Sequence, residues 1–130
     1  MTHCILIGAP VDSGQQRPGC LMGPAAYRVA RIAEVLAALG HTVEDRGDVV
    51  PGPSGGESCP NPTVHSLPET LAWTRALADA SGRAMAEGLP IFLGGDHSLS
   101  LGSTHGVAAH AAAKGRPLFV LWLDAHSDIH

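Results

Sequence analysis

The sequence predicts an α/β protein in which helices cover both faces of a mostly parallel sheet. Short apolar runs alternate along the chain with longer segments of helical character, and Gly or Pro marks most of the boundaries. The resulting order is β-α-β-α-β-α-β, and strands joined by helices in this way pair in parallel. With 130 residues, the chain is long enough for one domain with a core, which makes a three-layer α-β-α arrangement the expected fold.

The first half of the chain contains two of the predicted strands. Residues 3–8 are a short apolar run ending in Gly, which predicts a buried strand. A helix should open at Gly23-Pro24 and end at Gly40. Its predicted apolar face consists of Val29, Ile32, Ala33, Leu36 and Leu39. Residues 41–47 predict the second strand, and residues 48–66, rich in Pro, Gly and Ser, predict a long loop.

The second half continues the same alternation. Ser66 and Glu69 have the spacing of a capping box, so a helix should run from there to about residue 87. Residues 89–95 predict the third strand and residues 96–115 the third helix. The run PLFVLWLDAH, residues 117–126, predicts a fourth strand.

Composition argues against several classes of partner. The net charge of -4 gives no electrostatic reason to expect nucleic acid or an anionic membrane surface. No apolar run approaches the length of a membrane span, and the first residues lack the pattern of a signal peptide. The three cysteines are far apart and form no CxxC pair, so neither a disulfide framework nor a zinc knuckle is expected. A reducing cytoplasm fits this composition best.

A metal site is predicted where the fourth strand ends. Asp124, His126 and Asp128 stand at alternate positions, so their side chains share one side of an extended strand, and His130 continues the alternation. Two carboxylates beside an imidazole suit a divalent ion of intermediate hardness, such as Mn, Zn or Fe. Because buried charge is costly unless it is paired or metal-bound, these residues predict ligands.

The third strand ends in a similar way. Gly94 and Gly95 permit close approach of another segment, Asp96 is expected as an N-cap or as a partner of a ligand, and His97 follows. The carboxyl ends of parallel strands lie at one edge of a sheet, so this cluster should converge with the one after the fourth strand. Taken alone, a histidine after a strand, such as His97, is more often a hydrogen-bonded or exposed histidine than a ligand. The spacing in residues 8–14 matches no phosphate-binding motif, and no nucleophile elbow surrounds Ser98.

With GGDHS at 94–98 and DAHSD at 124–128, the sequence resembles the ureohydrolase family, whose members include arginase, agmatinase and formimidoylglutamase. The opening segment IGAPVDSGQQRPGCLMGPAAYR and VEDRGDV at 43–49 extend the resemblance over nearly the whole chain. The pattern GQxRxG followed by MGP, and DI after DAHSD, favour arginase. The resemblance implies an arginase-like fold truncated after the fourth strand, with residues 1–130 as the N-terminal part of a single domain.

The resemblance also implies an activity. Arginases hydrolyse L-arginine to L-ornithine and urea with two Mn ions bridged by hydroxide, and full-length members are expected as trimers or hexamers. By match to the family motifs, His97, Asp124 and Asp128 would serve one Mn. His126 would serve the other, and Asp124 would bridge them. Asp128 would also lie close to the guanidinium, so His126 and Asp128 are the catalytic candidates. His130 stands where many arginases carry an Asn that holds the substrate carboxylate.

Three features of the family pattern are missing from these residues. The third metal motif with its two further aspartates is absent, as are the His that shuttles protons and the Glu that holds the guanidinium. The chain alone is therefore expected to bind one Mn or none, with little or no turnover. Two alternatives stay open: an agmatinase-like enzyme acting on another guanidino substrate, and a non-catalytic fragment that associates with complete subunits.

Overall fold

The computed structural model describes residues 1–15 and 17–126. The strands are β1 (His3–Ala9), β2 (Thr42–Asp48) and β3 (Leu89–Gly94), and the helices are α1 (Gly23–Val29), α2 (Ile32–Ala38), α3 (Leu67–Glu87) and α4 (Leu99–Ala113). A short 3-10 helix, Pro18–Met22, precedes α1. Among the described helices, none combines the length and the apolar character needed to cross a membrane.

The sheet is parallel throughout its described strands, as predicted. The strand order is β2-β1-β3, so the first strand in the chain lies at the centre. His3 is paired with Thr42 on one side, and Ala9 is paired with Gly94 on the other. The central position explains the almost unbroken apolar run of β1, because a strand with neighbours on both edges and helices on both faces is fully buried.

Helices cover the two faces of this sheet. Ile5 and Ile7 of β1 pack against Ala84 of α3, and Leu77 of α3 packs against Ala9 and against Val11, two residues after the strand. On the opposite face α1 contacts β1 and β3. The start of α1 approaches β3 very closely, since a Cβ added to Gly23 would lie 1.6 Å from the carbonyl oxygen of Gly94. The predicted three-layer α-β-α arrangement is therefore confirmed.

Small residues bring α3 and α4 together. A Cβ added to Gly106 would lie 2.4 Å from the carbonyl oxygen of Ala78 and 2.5 Å from Ser81 Cβ. The buried Ser81 hydroxyl donates a hydrogen bond of 2.8 Å to the carbonyl of Ser103. The backbones of α3 and α4 are thus in direct contact. This contact fixes the direction of α4 relative to the end of β3.

The predicted helix between residues 24 and 39 is two helices. Arg31 has a left-handed backbone with φ of 64°, which ends α1 and begins α2. The predicted apolar face is not buried: Val29 is 83% exposed, Leu39 is 69% exposed and α2 contains no buried residue. Helical periodicity alone could not predict this break, because the position of the break depends on how the end of α1 is anchored.

That anchor is Arg28 in the last turn of α1. Its guanidinium contacts Asp45 at 2.7 Å and Asp48 at 2.6 Å, two residues of β2. The hydrogen bonds from Arg28 hold the pKa of the Asp45 carboxyl below its usual value, against the opposing effect of partial burial. The ion pairs fasten α1 to the strand at the edge of the sheet.

The N-terminus of α3 also differs from the prediction. The helix has nearly the predicted bounds, and Ser66 is its N-cap residue. However, Ser66 has a left-handed backbone with φ of 51°, and its side chain makes no capping hydrogen bond. Because a capping side chain normally projects from an extended backbone, the predicted capping box is not formed.

The predicted fourth strand is not formed in the described part of the chain. Residues 116–124 adopt no regular secondary structure, and β3 pairs only with β1 among the described strands. Residues 118–121 instead line a cavity of about 270 Å³ together with Pro90, Phe92 and residues of α4. A strand requires ladder hydrogen bonds along its neighbour, and among the described residues β3 is paired with β1 and not with this segment. Phe119 is consequently 89% exposed.

Candidate metal centre

The candidate site lies at the carboxyl ends of β1 and β3. From β1 the chain crosses to β2 on one side and then passes to β3 on the other, which makes the end of β1 a topological switch point. Open parallel sheets bind ligands in the crevice at such a point. Residues 10–15 follow β1 and residues 95–98 follow β3, so these two loops form the walls of the crevice.

A glycine allows the two loops to touch. A Cβ added to Gly95 would lie 2.4 Å from the carbonyl oxygen of Ala9 and 2.6 Å from the nitrogen of Val11. The next residue in this loop, Asp96, donates its backbone N–H to the carbonyl of Val11 at 2.8 Å. Only glycine permits this approach, which explains the second glycine of the Gly-Gly pair that precedes the candidate ligand His97.

Asp96 joins the loops a second time through its side chain. One carboxylate oxygen, Oδ2, accepts the backbone N–H groups of Gly14 at 2.8 Å and Gln15 at 3.0 Å. The other, Oδ1, accepts the backbone N–H of Ser98 at 2.9 Å and its hydroxyl at 2.5 Å. Asp96 is only 4% exposed. Burial raises the pKa of this carboxyl, but the hydrogen bonds outweigh burial and hold the pKa below its usual value.

The loop after β1 forms an anion-binding arrangement, although its sequence matches no phosphate-binding motif. Two successive backbone N–H groups, from Gly14 and Gln15, converge on one oxygen and form an anion-binding nest. The anion in this nest is the carboxylate of Asp96. The prediction that Asp96 is the N-cap of the helix after β3 is wrong, because the N-cap residue of α4 is Ser98.

Three of the predicted ligands lie together beside this crevice. His97 Nδ1 is 3.2 Å from Asp124 Oδ2, and His126 Nδ1 is 3.5 Å from Asp124 Oδ1. The Asp124 side chain is 23% exposed, whereas the imidazoles of His97 and His126 are 48% and 84% exposed. Two predicted site residues, Asp128 and His130, lie outside the described residues.

Local geometry sets the charge of Asp124. Its Oδ1 accepts the backbone N–H of His126 at 2.9 Å, which forms a tight turn. This hydrogen bond is the main reason that the pKa of the Asp124 carboxyl lies below its usual value; burial opposes it, and the nearby imidazoles of His97 and His126 add to it. The carboxylate is therefore ionised at neutral pH and available to a cation.

Sequence reasoning missed one member of this cluster, Trp122. Its ring lies edge-on to the imidazole of His97, with the ring centroids 5.1 Å apart. Trp122 stands two residues before Asp124, and side chains at this spacing share one side of an extended segment. The alternation that selected the candidate ligands would thus also have placed this indole beside them.

The donors fit Mn in kind but do not form a complete site within the described residues. Among residues 1–15 and 17–126, no group of three or more His, Cys, Asp or Glu side chains could hold a metal ion. The pair formed by His97 and Asp124 does fit in kind, because an imidazole nitrogen and a carboxylate oxygen lie 3.2 Å apart. Imidazole nitrogen and carboxylate oxygen together suit an ion such as Mn.

Comparison with known proteins gives a consistent result. The family model described as Arginase family matches residues 2–130. The arginase of Agrobacterium fabrum is 49% identical over 98% of this chain, and that of Brucella melitensis is 48% identical over the same share. Human mitochondrial arginase-2 is 36% identical over 96% of the chain. The chain spans 40% and 42% of the two bacterial relatives and 34% of the human one.

Solved structures agree with the sequence relatives. The arginase of Bacillus subtilis superposes with a TM-score of 0.71 at 36% identity, covering 85% of this chain and 36% of that protein. The arginase of Bacillus caldovelox superposes with a TM-score of 0.69 at 35% identity, covering 85% of this chain and 38% of that protein.

Proposed function

Because this chain belongs to the arginase family, we propose that it acts in hydrolysis of L-arginine to L-ornithine and urea at a dinuclear Mn centre. Residues 1–130 would supply the amino-terminal part of a single arginase-type domain, consistent with the share of its relatives that the chain matches. The complete protein would assemble as a homo-oligomer, a trimer or hexamer, and act in the cytoplasm.

The observation that carries this proposal is the approach of His97 to Asp124. The two residues follow different apolar segments, yet the imidazole and carboxylate lie 3.2 Å apart beside the crevice of a parallel sheet. The two oxygens of Asp124 face two different imidazoles, those of His97 and His126. A carboxylate so placed has an oxygen for each of two ions, which supports a bridging role.

The proposed roles follow from the donor types. His97, Asp124 and Asp128 would hold one Mn, and His126 would hold the other with Asp124 shared. Bound Mn would lower the pKa of a water molecule and so supply hydroxide at neutral pH. Asp128 would orient the planar guanidinium, because a carboxylate accepts two parallel N–H groups from such a cation. A neutral His130 would donate one hydrogen bond to the substrate carboxylate.

Mn binding and urea release test the proposal on the same samples. Asp124→Asn removes the shared carboxylate charge, and Asp79→Asn makes the same change at an exposed position of α3. We expect one Mn per chain for the wild type and for Asp79→Asn, measured by elemental analysis and by the EPR signal of free Mn, and none for Asp124→Asn. Equal Mn binding by all three chains, or by none, would contradict the proposed site.

A substrate comparison separates the enzymatic alternatives. Urea release is measured with L-arginine and with agmatine at equal concentrations after Mn loading. We expect little turnover by the 130-residue chain and, where it is measurable, faster release from L-arginine. Faster release from agmatine would replace this assignment with the agmatinase-like one.

A further inference from the structure

We propose that Asp96 is a positioning residue of the candidate metal centre, which fixes residues 12–15 to the start of α4 and so sets the place of His97. This inference rests on the proposed function, because it treats His97 as a metal ligand. Asp96 itself is directed away from that role, since all four observed hydrogen bonds of its carboxylate go to Gly14, Gln15 and Ser98.

The hydrogen bonds of Asp96 require a carboxylate. Each oxygen accepts two donors, Oδ2 from the loop after β1 and Oδ1 from Ser98. An ionised carboxylate has acceptor sites for all four donors, whereas an amide has one acceptor oxygen and one donor NH2 group. In an Asp96→Asn variant, the NH2 group of the side chain would therefore face the donors that now bond to one of the two carboxylate oxygens. Because the residue is 4% exposed, water cannot readily replace the lost partners.

The backbone around His97 is held on both sides by these contacts. Before it, the N–H of Asp96 bonds to the carbonyl of Val11 at 2.8 Å; after it, the N–H of Ser98 bonds to the Asp96 carboxylate at 2.9 Å. The carbonyl of His97 accepts the Ser100 hydroxyl at 2.7 Å. With the main chain fixed in this way, the remaining freedom of the imidazole is rotation about its own side-chain bonds.

The loop on the far side of Asp96 is itself anchored. Val11 is fully buried in the core, and the hydroxyl of Ser13, which is 8% exposed, accepts a hydrogen bond of 3.1 Å from Thr70 of α3. A Cβ added to Gly14 would lie 3.2 Å from both oxygens of Asp96, so the loop packs directly on the carboxylate. Asp96 therefore holds the backbone of His97 in a fixed position relative to the anchored loop of residues 12–15.

Mn affinity of the folded chain distinguishes positioning from a merely structural role. Loss of partners that orient a ligand typically weakens metal binding by about 10–100-fold. We expect Asp96→Asn to weaken Mn binding within that range in EPR titrations at a temperature where circular dichroism shows the variant folded. The matched control is Asp79→Asn, at an exposed residue with no recorded hydrogen bond or ion pair to the described residues, which should bind Mn like the wild type.

Ser98→Ala provides a second test if Asp96→Asn fails to fold. It removes one of the four hydrogen bonds and keeps the other three, and Ser54→Ala is its control in the exposed loop. We expect weaker Mn binding for Ser98→Ala than for Ser54→Ala, with a smaller loss than for Asp96→Asn.

Amide exchange at Gly14 and Gln15 should be accelerated in Asp96→Asn and unchanged in Asp79→Asn.

The outcomes separate this inference from the proposed function. Folded variants that bind Mn as tightly as their controls would overturn the positioning role, even if their melting temperatures fall, and would leave the metal site standing. A wild-type chain that binds no Mn would overturn the proposed metal site and, with it, any role of Asp96 in that site.

Discussion

Replacing Gly106 by alanine should destabilise the chain, because a methyl group at this position has no room between α3 and α4. The new Cβ would lie 2.4 Å from the carbonyl oxygen of Ala78 and 2.5 Å from Ser81 Cβ. Carbon atoms in contact are about 3.5–4.0 Å apart, so the two helices would have to separate locally by roughly 1 Å. Two of the three nearest atoms, the Ala78 oxygen and the Gly82 nitrogen, belong to the backbone, which cannot turn aside as a flexible side chain can.

The magnitude follows from three contributions. Inserting a methyl group into a packed interface typically costs about 1–3 kcal/mol. Separation of the helices would also weaken the buried hydrogen bond from Ser81 to Ser103, and a hydrogen bond of this kind contributes about 1 kcal/mol. Against these, alanine is favoured over glycine in a helix by about 1 kcal/mol. The balance is a loss of about 1–3 kcal/mol in the free energy of unfolding.

Gly82→Ala is the matched control. Gly82 lies within α3, and a Cβ added there meets no atom within 4 Å. The same chemical change should therefore stabilise the chain by about 1 kcal/mol. Equilibrium unfolding in urea, followed by far-UV circular dichroism, measures both variants. The reasoning is refuted if Gly106→Ala is as stable as the wild type, or if both variants shift the midpoint in the same direction.

Three further substitutions test the packing. Arg28→Met should lower the free energy of unfolding by about 1 kcal/mol or less at neutral pH, since the ion pairs of Arg28 with Asp45 and Asp48 are partly exposed. The pKa of Asp45 is lowered in the folded state. The stabilisation by Arg28 should therefore be complete above about pH 4 and decline below it. A difference between Arg28→Met and wild type that stays constant in urea unfolding from about pH 6 to about pH 3 would argue against the pairing. Leu77→Ala should cost about 2–5 kcal/mol in the same assay, as the side chain is fully buried; a cost below about 1 kcal/mol would contradict its place in the core. Phe119→Ser should change stability by less than about 0.5 kcal/mol, since Phe119 is 89% exposed; a clear loss would indicate a buried ring.

Local sequence signals predicted the elements whose formation depends mainly on burial and on chain breakers. The apolar runs that became β1 and β3 have nearly the predicted bounds, and so does α3. Gly and Pro mark the ends of these elements, and both signals act within a few residues. The same signals failed at Arg31, where the helix is broken, because the anchor of α1 on β2 is a contact between residues distant in sequence.

The fourth strand shows a second limit of pattern reasoning. Residues 117–126 have the composition of a buried strand, but a strand exists only when its backbone is paired with a neighbour. In the described part of the chain, β3 has β1 as its partner and a cavity on the side of residues 118–121. The composition of a segment indicates that it could form a strand, whereas the strand forms only if another segment of the chain pairs with its backbone.

The candidate site was partly predictable for a similar reason. The sequence predicted that the segment after β3 would converge with the segment around residue 124, and His97 does lie 3.2 Å from Asp124, although residues 116–124 form no strand. Nothing local could predict the hydrogen bonds of Asp96, whose partner Gly14 lies 82 residues earlier in the chain. The roles of all the candidate site residues, Asp128 and His130 included, remain predictions from the family resemblance.

The strand order has a consequence for biosynthesis. β1 is the central strand, but Gly94, the partner of Ala9, is synthesised 85 residues after it. At about 5–20 residues per second, a ribosome needs roughly 4–17 s to cover that distance. Throughout this interval one edge of the apolar β1 lacks its β3 partner, and β2 and α3 become available only after residues 48 and 87 have been made. We expect the nascent chain to depend on chaperones most strongly between the emergence of β2 and that of β3.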